Sequence, residues 1–215
     1  MELLIGHENR FIYPKMIEKV VHMAVSLDHI LPVDPAHNVK NHGMPVALNI
    51  VNFAKIFDPQ ANITLDNLVI AGLLHDRQRF VVGHVPFNLI TKTVLKNSGM
   101  ARDDQTETLF LIHNHSDLRR GATEKEIYLY IADKKEYFSV RRLENSIGSL
   151  PQFAIDMYKR HWKKRVDKIM HNVEDLDRNG FSGIHKIFKE DFKKLKEHIS
   201  TNRPQMADLF DGITI

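Results

Sequence analysis

The chain has no cysteine, which removes disulfides, thiolate nucleophiles and cysteine-ligated zinc or iron–sulfur sites. Any metal it holds is therefore held through nitrogen and oxygen. No apolar run approaches the length that crosses a bilayer, and the N-terminal MELLIGHENRF lacks a basic stretch followed by a long apolar one. No membrane partner is therefore expected, and a cytoplasmic, reducing location is. A strong charge of either sign is missing too: the net +3 leans mildly toward anionic small molecules, and nucleic acid is not an expected partner. No internal repeat or low-complexity tract is visible.

What is present is a chain of 215 residues, 43% hydrophobic, enough to bury one substantial core. Thirteen histidines accompany it, and imidazole serves both catalysis and metal ligation. Pro14 can open a helix, and Ile17, Val20, Val21, Ala24 and Leu27 continue it to the Leu31-Pro32 break. His22 and His29 read as packed or solvated there. A second helix carries Val46, Ala47, Ile50, Val51 and Ala54 and ends at Asp58-Pro59. Thr64 is the expected N-cap of a third helix reaching His75. Further helices are expected over 88–96 and 106–113. The last of this set starts at the capping box Thr123-Glu124-Lys125-Glu126 and runs to Asp133. The fold class is all-α.

The third helix is the centre of this pattern. Val69, Ile70, Leu73 and Leu74 bury one side of it, and His75-Asp76 then places an imidazole beside a carboxylate at the edge of a core. His42, at the start of the second helix, reads equally as a solvent-facing residue and as an inward ligand. His84 lies in a turn close enough to reach back. His113 is preferred over His115 because it follows Leu109 and Phe110 by a helical step. Asp133 late in an apolar helix is costly unless coordinated or paired with Lys134 or Lys135, and coordination is the favoured reading. Arg77 and Arg79, just beyond Asp76, read equally as surface arginines and as a guanidinium fork that grips phosphate, and Lys134 joins them as a substrate-binding candidate.

His42-Gly43 followed by Val46 and Ala47, then Ala71-Gly72-Leu73-Leu74-His75-Asp76, then Ile131-Ala132-Asp133-Lys134, resemble the HD-domain superfamily of metal-dependent phosphohydrolases over residues 38–145. Gly83-His84 is similar to the Gly-His of its deoxynucleoside triphosphate hydrolases, whereas Gln78 and Arg79 depart from the family pattern. The resemblance implies an HD-domain-like helical bundle in which His42, His75, Asp76 and Asp133 hold one metal. His84 and His113 stand where a second site would be completed. It implies one or two divalent ions, with Mn, Fe, Co, Ni, Zn and Mg not distinguished. Catalytic roles fall to Asp76, His113 and Arg79, and the expected activity is cleavage of a phosphate ester or anhydride by a metal-activated water. The substrate class favoured is a nucleotide. A di-iron oxygenase and a non-catalytic nucleotide-binding regulatory module are the alternatives, and homo-oligomerisation is open.

Residues 1–150 are thus expected to form the metal-binding domain and 151–215 a C-terminal helical extension packed on it. In that extension Phe153, Met157, Trp162, Val166, Ile169 and Val173 give a long amphipathic helix. Its other side carries Lys159, Arg160, Lys163, Lys164, Arg165 and Lys168, read as a solvated face. Asp175 to Gly180 copies half of an EF-hand loop, but the twelfth position is Lys186, so the stretch reads as a turn. A last amphipathic helix follows from Ile184, and an irregular tail is expected from Arg203.

Overall fold

Amphipathic spacing becomes nine α-helices in a computed structural model that describes residues 11–30, 37–76, 87–148 and 152–213. Among the described residues there is no strand. The chain divides into two compact units, Met1–Asp133 and Lys134–Ile215. The boundary between these units falls inside a helix. Within the second unit Phe138 meets Phe188 and Phe192 edge-on at 5.7 and 5.9 Å.

In the first unit, α1 (Pro14–Ile30) buries Ile17, Val20, Val21 and Ala24. A five-residue π-helical turn, Val39–Gly43, leads directly into α2 (Met44–Phe57). Pro45 lies in the first turn of α2, where a missing N–H leaves no intrahelical bond unmade. The next helix, α3 (Asp66–Leu74), has all nine residues buried, the signature of a helix enclosed on every side. It lies against α1, α2 and the π turn, and against α5 (Arg102–Asn114). The helix between them in sequence is α4 (Phe87–Ser98).

Thr64 is exposed and does not cap α3. Asp66 does different work there: its carboxylate accepts the backbone N–H groups of Ile12 and Tyr13 at 2.9 and 2.7 Å, anchoring the chain that enters α1. The expected capping box is present at α6 (Glu124–Glu136). Thr123 N–H and hydroxyl both donate to Glu126 at 2.8 Å, and the Glu126 N–H returns to the Thr123 hydroxyl at 3.3 Å.

The second unit holds α7 (Val140–Gly148), a helix the sequence reading did not anticipate, with α8 (Gln152–Arg178) and α9 (Ile184–Asn202). Trp162 of α8 is its largest buried side chain, set against Phe192 and Phe210 at 6.2 and 5.3 Å. Phe210 belongs to a 3-10 helix, Pro204–Phe210, so the tail is ordered where irregular chain was expected. Its buried Met206, Leu209 and Phe210 explain why. Met157, expected in the apolar stripe of α8, is exposed instead. The EF-hand-like stretch is a helix end and turn, in which Asp177 accepts the N–H groups of Gly183 and His185 at the start of α9.

Candidate metal centre

Five side chains meet inside the first unit: His42 from the π turn, His75 and Asp76 just past the end of α3, His115 just past α5, and Asp133 near the end of α6. All five are buried, His42 completely. The convergence begins with two glycines. A Cβ on Gly43 would stand 2.5 Å from the Leu73 carbonyl oxygen, and one on Gly72 would stand 2.7 Å from Ile50 Cδ1. Without side chains at those positions the π turn and α2 approach α3 closely enough to bring His42 Nε2 within 3.0 Å of His75 Nε2. Asn49 of α2 donates to the Ala132 carbonyl at 3.3 Å, tying α6 down beside Asp133.

The imidazoles are held in defined orientations. His75 Nδ1 lies 2.8 Å from the Gly72 carbonyl and His115 Nδ1 against the Ile112 carbonyl. Since a carbonyl only accepts, both Nδ1 atoms donate, and in the neutral rings the lone pair is left on Nε2, facing the cluster. The rings of His75 and His115 meet edge-on, with centroids 4.8 Å apart. Asp76 Oδ2 lies 3.1 Å from His42 Nε2 and 3.8 Å from His75 Nε2, and its Oδ1 lies 3.8 Å from His115 Nε2. Asp133 Oδ1 lies 3.3 Å from both His42 Nε2 and His75 Nε2.

Electrostatics at the cluster favour the charged forms of Asp76 and His75 and the neutral form of His115. Burial by itself would raise the Asp76 carboxyl, but His75 and His42 hold it well below the usual carboxylate range. Burial also opposes a charged His75, yet Asp76 and Asp133 outweigh it and hold His75 above its ordinary value. His115, desolvated and beside His75, is pushed down to about 4 despite both carboxylates, so it stands neutral with its Nε2 buried and no hydrogen-bond partner among the described residues.

A divalent cation fits this donor set. Two overlapping groups, His42 with His75 and Asp76, and His75 with His115 and Asp133, each offer three ligand atoms within 4.8 Å of one another. Atoms that share one ion at about 2.1 Å stand roughly 3.0–3.4 Å apart. The separations from His42 Nε2 to His75, Asp76 and Asp133, and from His75 to Asp133, all lie in that interval. Nitrogen and carboxylate oxygen without sulfur suit a first-row divalent ion and do not select one.

Of the residues singled out by sequence, His42, His75, Asp76 and Asp133 are brought together, and His113 is not. His113 is exposed, and its place is taken by His115. Residues two apart on a helix differ by about 200°, so only one of the pair can face inward. The buried stripe of α5 is Thr108, Leu111 and Ile112, and His115 continues it. Phe110, used to argue for His113, is 42% exposed. That Thr108-Leu111-Ile112-His115 spacing was the signal available in the sequence. Lys134 is half-buried next to Asp133 on α6 and falls in the second unit. Arg77, Arg79 and His84 lie outside the described residues. No described helix is long and apolar enough to cross a membrane. The chain matches no family model, no curated protein and no solved structure.

Proposed function

We propose that this protein is a metal-dependent phosphohydrolase that cleaves a phosphate ester or anhydride, with a nucleotide as the favoured substrate. The observation that carries the reading is the buried convergence of three imidazoles and two carboxylates on overlapping groups of ligand atoms. Carboxylates are rarely buried together unless a cation or strong pairing compensates them. His42, His75, Asp76 and Asp133 would hold the ion, with His115 Nε2 as a further donor. A divalent ion bound there supplies Lewis acidity, making water a better nucleophile near neutral pH and offsetting charge on a phosphoryl group.

The chain's own residues contribute orientation and polarity. The carbonyls of Gly72 and Ile112 fix the rings of His75 and His115, so neither must reorient when a ligand arrives. Asp76 presents one oxygen toward His42 and the other toward His115, which lets it orient a group held between them. The catalytic part first given to His113 passes to His115. Arg77 and Arg79, which follow Asp76 in the chain, are proposed for the substrate's remaining phosphate charge.

The test is elemental analysis of the purified protein combined with a phosphate-release screen over mono-, di-, tri- and cyclic nucleotides. Asp76→Ala is expected to abolish metal retention and turnover together. Full activity in that variant, or a wild-type protein that retains no divalent ion, would end the assignment.

A further inference from the structure

We infer that His37 is a substrate-contact residue of this site, whose imidazole donates a hydrogen bond to a phosphoryl oxygen lying on the outer side of Asp76. The inference rests on the phosphohydrolase reading and adds to it a residue outside the ligand set. His37 Nε2 stands 3.9 Å from Asp76 Oδ2, and its ring meets that of His42 edge-on at 6.1 Å. It belongs to neither three-ligand group. The five clustered side chains are at most 7% exposed, whereas that of His37 is 21% exposed. It is therefore an imidazole that reaches both a buried carboxylate of the cluster and solvent, and a ligand approaching Asp76 from outside meets it.

Its position is fixed by the backbone that follows. Val39 N–H donates to Asp28 at 2.9 Å, Asn41 N–H to the Asn38 side chain at 2.7 Å, and His42 N–H to the Asn38 carbonyl at 2.9 Å. The π turn those bonds define carries the ligand His42 as well, and π-helical segments recur at functional sites. One short pinned stretch thus presents a buried imidazole to the cluster and a half-exposed one beside it. An N–H directed at an anionic oxygen is among the stronger neutral-donor hydrogen bonds, and the group it recognises is a phosphoryl oxygen whether it comes from a nucleotide or from free phosphate.

The test uses the full chain loaded with manganese and compares wild type with His37→Phe, which keeps planar bulk without a donor, and His37→Gln, which keeps a donor. Metal content, thermal midpoint, kcat and KM for the best nucleotide, and affinity for inorganic phosphate by calorimetry are measured. The expected result is wild-type metal content in both variants, with phosphate binding weakened about tenfold or more in His37→Phe and largely restored in His37→Gln. Unchanged phosphate affinity in His37→Phe overturns the inference and leaves the phosphohydrolase reading standing. Loss of the metal in both variants makes His37 a ligand and also overturns it. A wild-type protein that holds manganese but binds no phosphate sinks both.

Discussion

At the scale of single residues, His75 and His115 share one device: each ring donates to the carbonyl three residues before it, Gly72 and Ile112. The bond costs no additional element and settles which nitrogen faces the cluster. His115 is therefore expected to matter far more than its neighbour. His115→Ala should weaken divalent-ion affinity by at least about 10–100-fold, the range found when only the partner that orients a ligand is lost, whereas His113→Ala, on the exposed face, should stay within about threefold. Competition titration with a metal-sensitive dye measures both. A larger loss in His113→Ala would restore the sequence-based choice. Both residues sit in the same three letters, HNH; the helical spacing from Thr108, Leu111 and Ile112 separates them, and it becomes decisive because that face of α5 meets α3.

At the scale of elements, the crossing of the π turn and α2 over α3 depends on Gly43 and Gly72. The two are unequal. An added methyl at Gly43 meets backbone, the Leu73 carbonyl, while one at Gly72 first meets the end of the Ile50 side chain, which can move. Gly43→Ala is expected to cost about 1–3 kcal/mol of stability through overpacking and to lower metal retention, and Gly72→Ala to cost less. Chemical denaturation of the two variants side by side checks the order. The capping box of α6 makes a separate prediction. Burial tends to raise the Glu126 carboxyl, but Thr123 and the Arg119 guanidinium reverse this and hold it below its ordinary 4.5. A depressed folded-state pKa contributes stability above the unfolded value, and that contribution is lost as pH falls through the folded one. Glu126→Gln should thus be less stable than wild type at neutral pH, with the gap closing as pH drops below about 4.5. A gap independent of pH would mean the carboxylate's charge is not what stabilises the helix start. This capping box was readable from sequence because its partners are three residues apart. The clearance at Gly43 was not, since it is set by a carbonyl thirty residues away.

At the scale of the whole molecule, the first unit gathers buried carboxylates that an ion would compensate, and the second is held by an aromatic core of Trp162, Phe188, Phe192 and Phe210. Binding to the folded state alone adds stability that grows with the logarithm of ligand excess, about 2.7 kcal/mol at a hundredfold excess over Kd. Chelation is therefore expected to lower the thermal midpoint of wild type, and to leave that of Asp76→Ala nearly unchanged. Scanning calorimetry with and without chelator makes the comparison, and equal shifts in both proteins would disconnect the metal from this cluster. The basic side of α8 is largely solvated, with Arg160, Lys164, Arg165 and Lys168 exposed, and some of its cations also pair within the second unit. Lys159 pairs with Asp208 at 2.7 Å, Lys163 donates to the Asp211 carbonyl at 3.3 Å, and Arg165 donates to the Tyr137 hydroxyl at 3.0 Å.

By itself the sequence determined the helical class, through apolar residues such as Val46, Ala47, Ile50 and Val51 spaced for one helix face. It also excluded thiolate ligands, and it picked out His42, His75, Asp76 and Asp133 as candidate ligands. Those properties are local or compositional, so they are legible along the chain. Only tertiary structure decided that these four lie together, that His115 joins them and His113 does not, that His37 stands beside them, and that the compact units part at 133/134. Each of those outcomes depends on which helix faces meet, and contact between residues distant along the chain is a property of the packed structure.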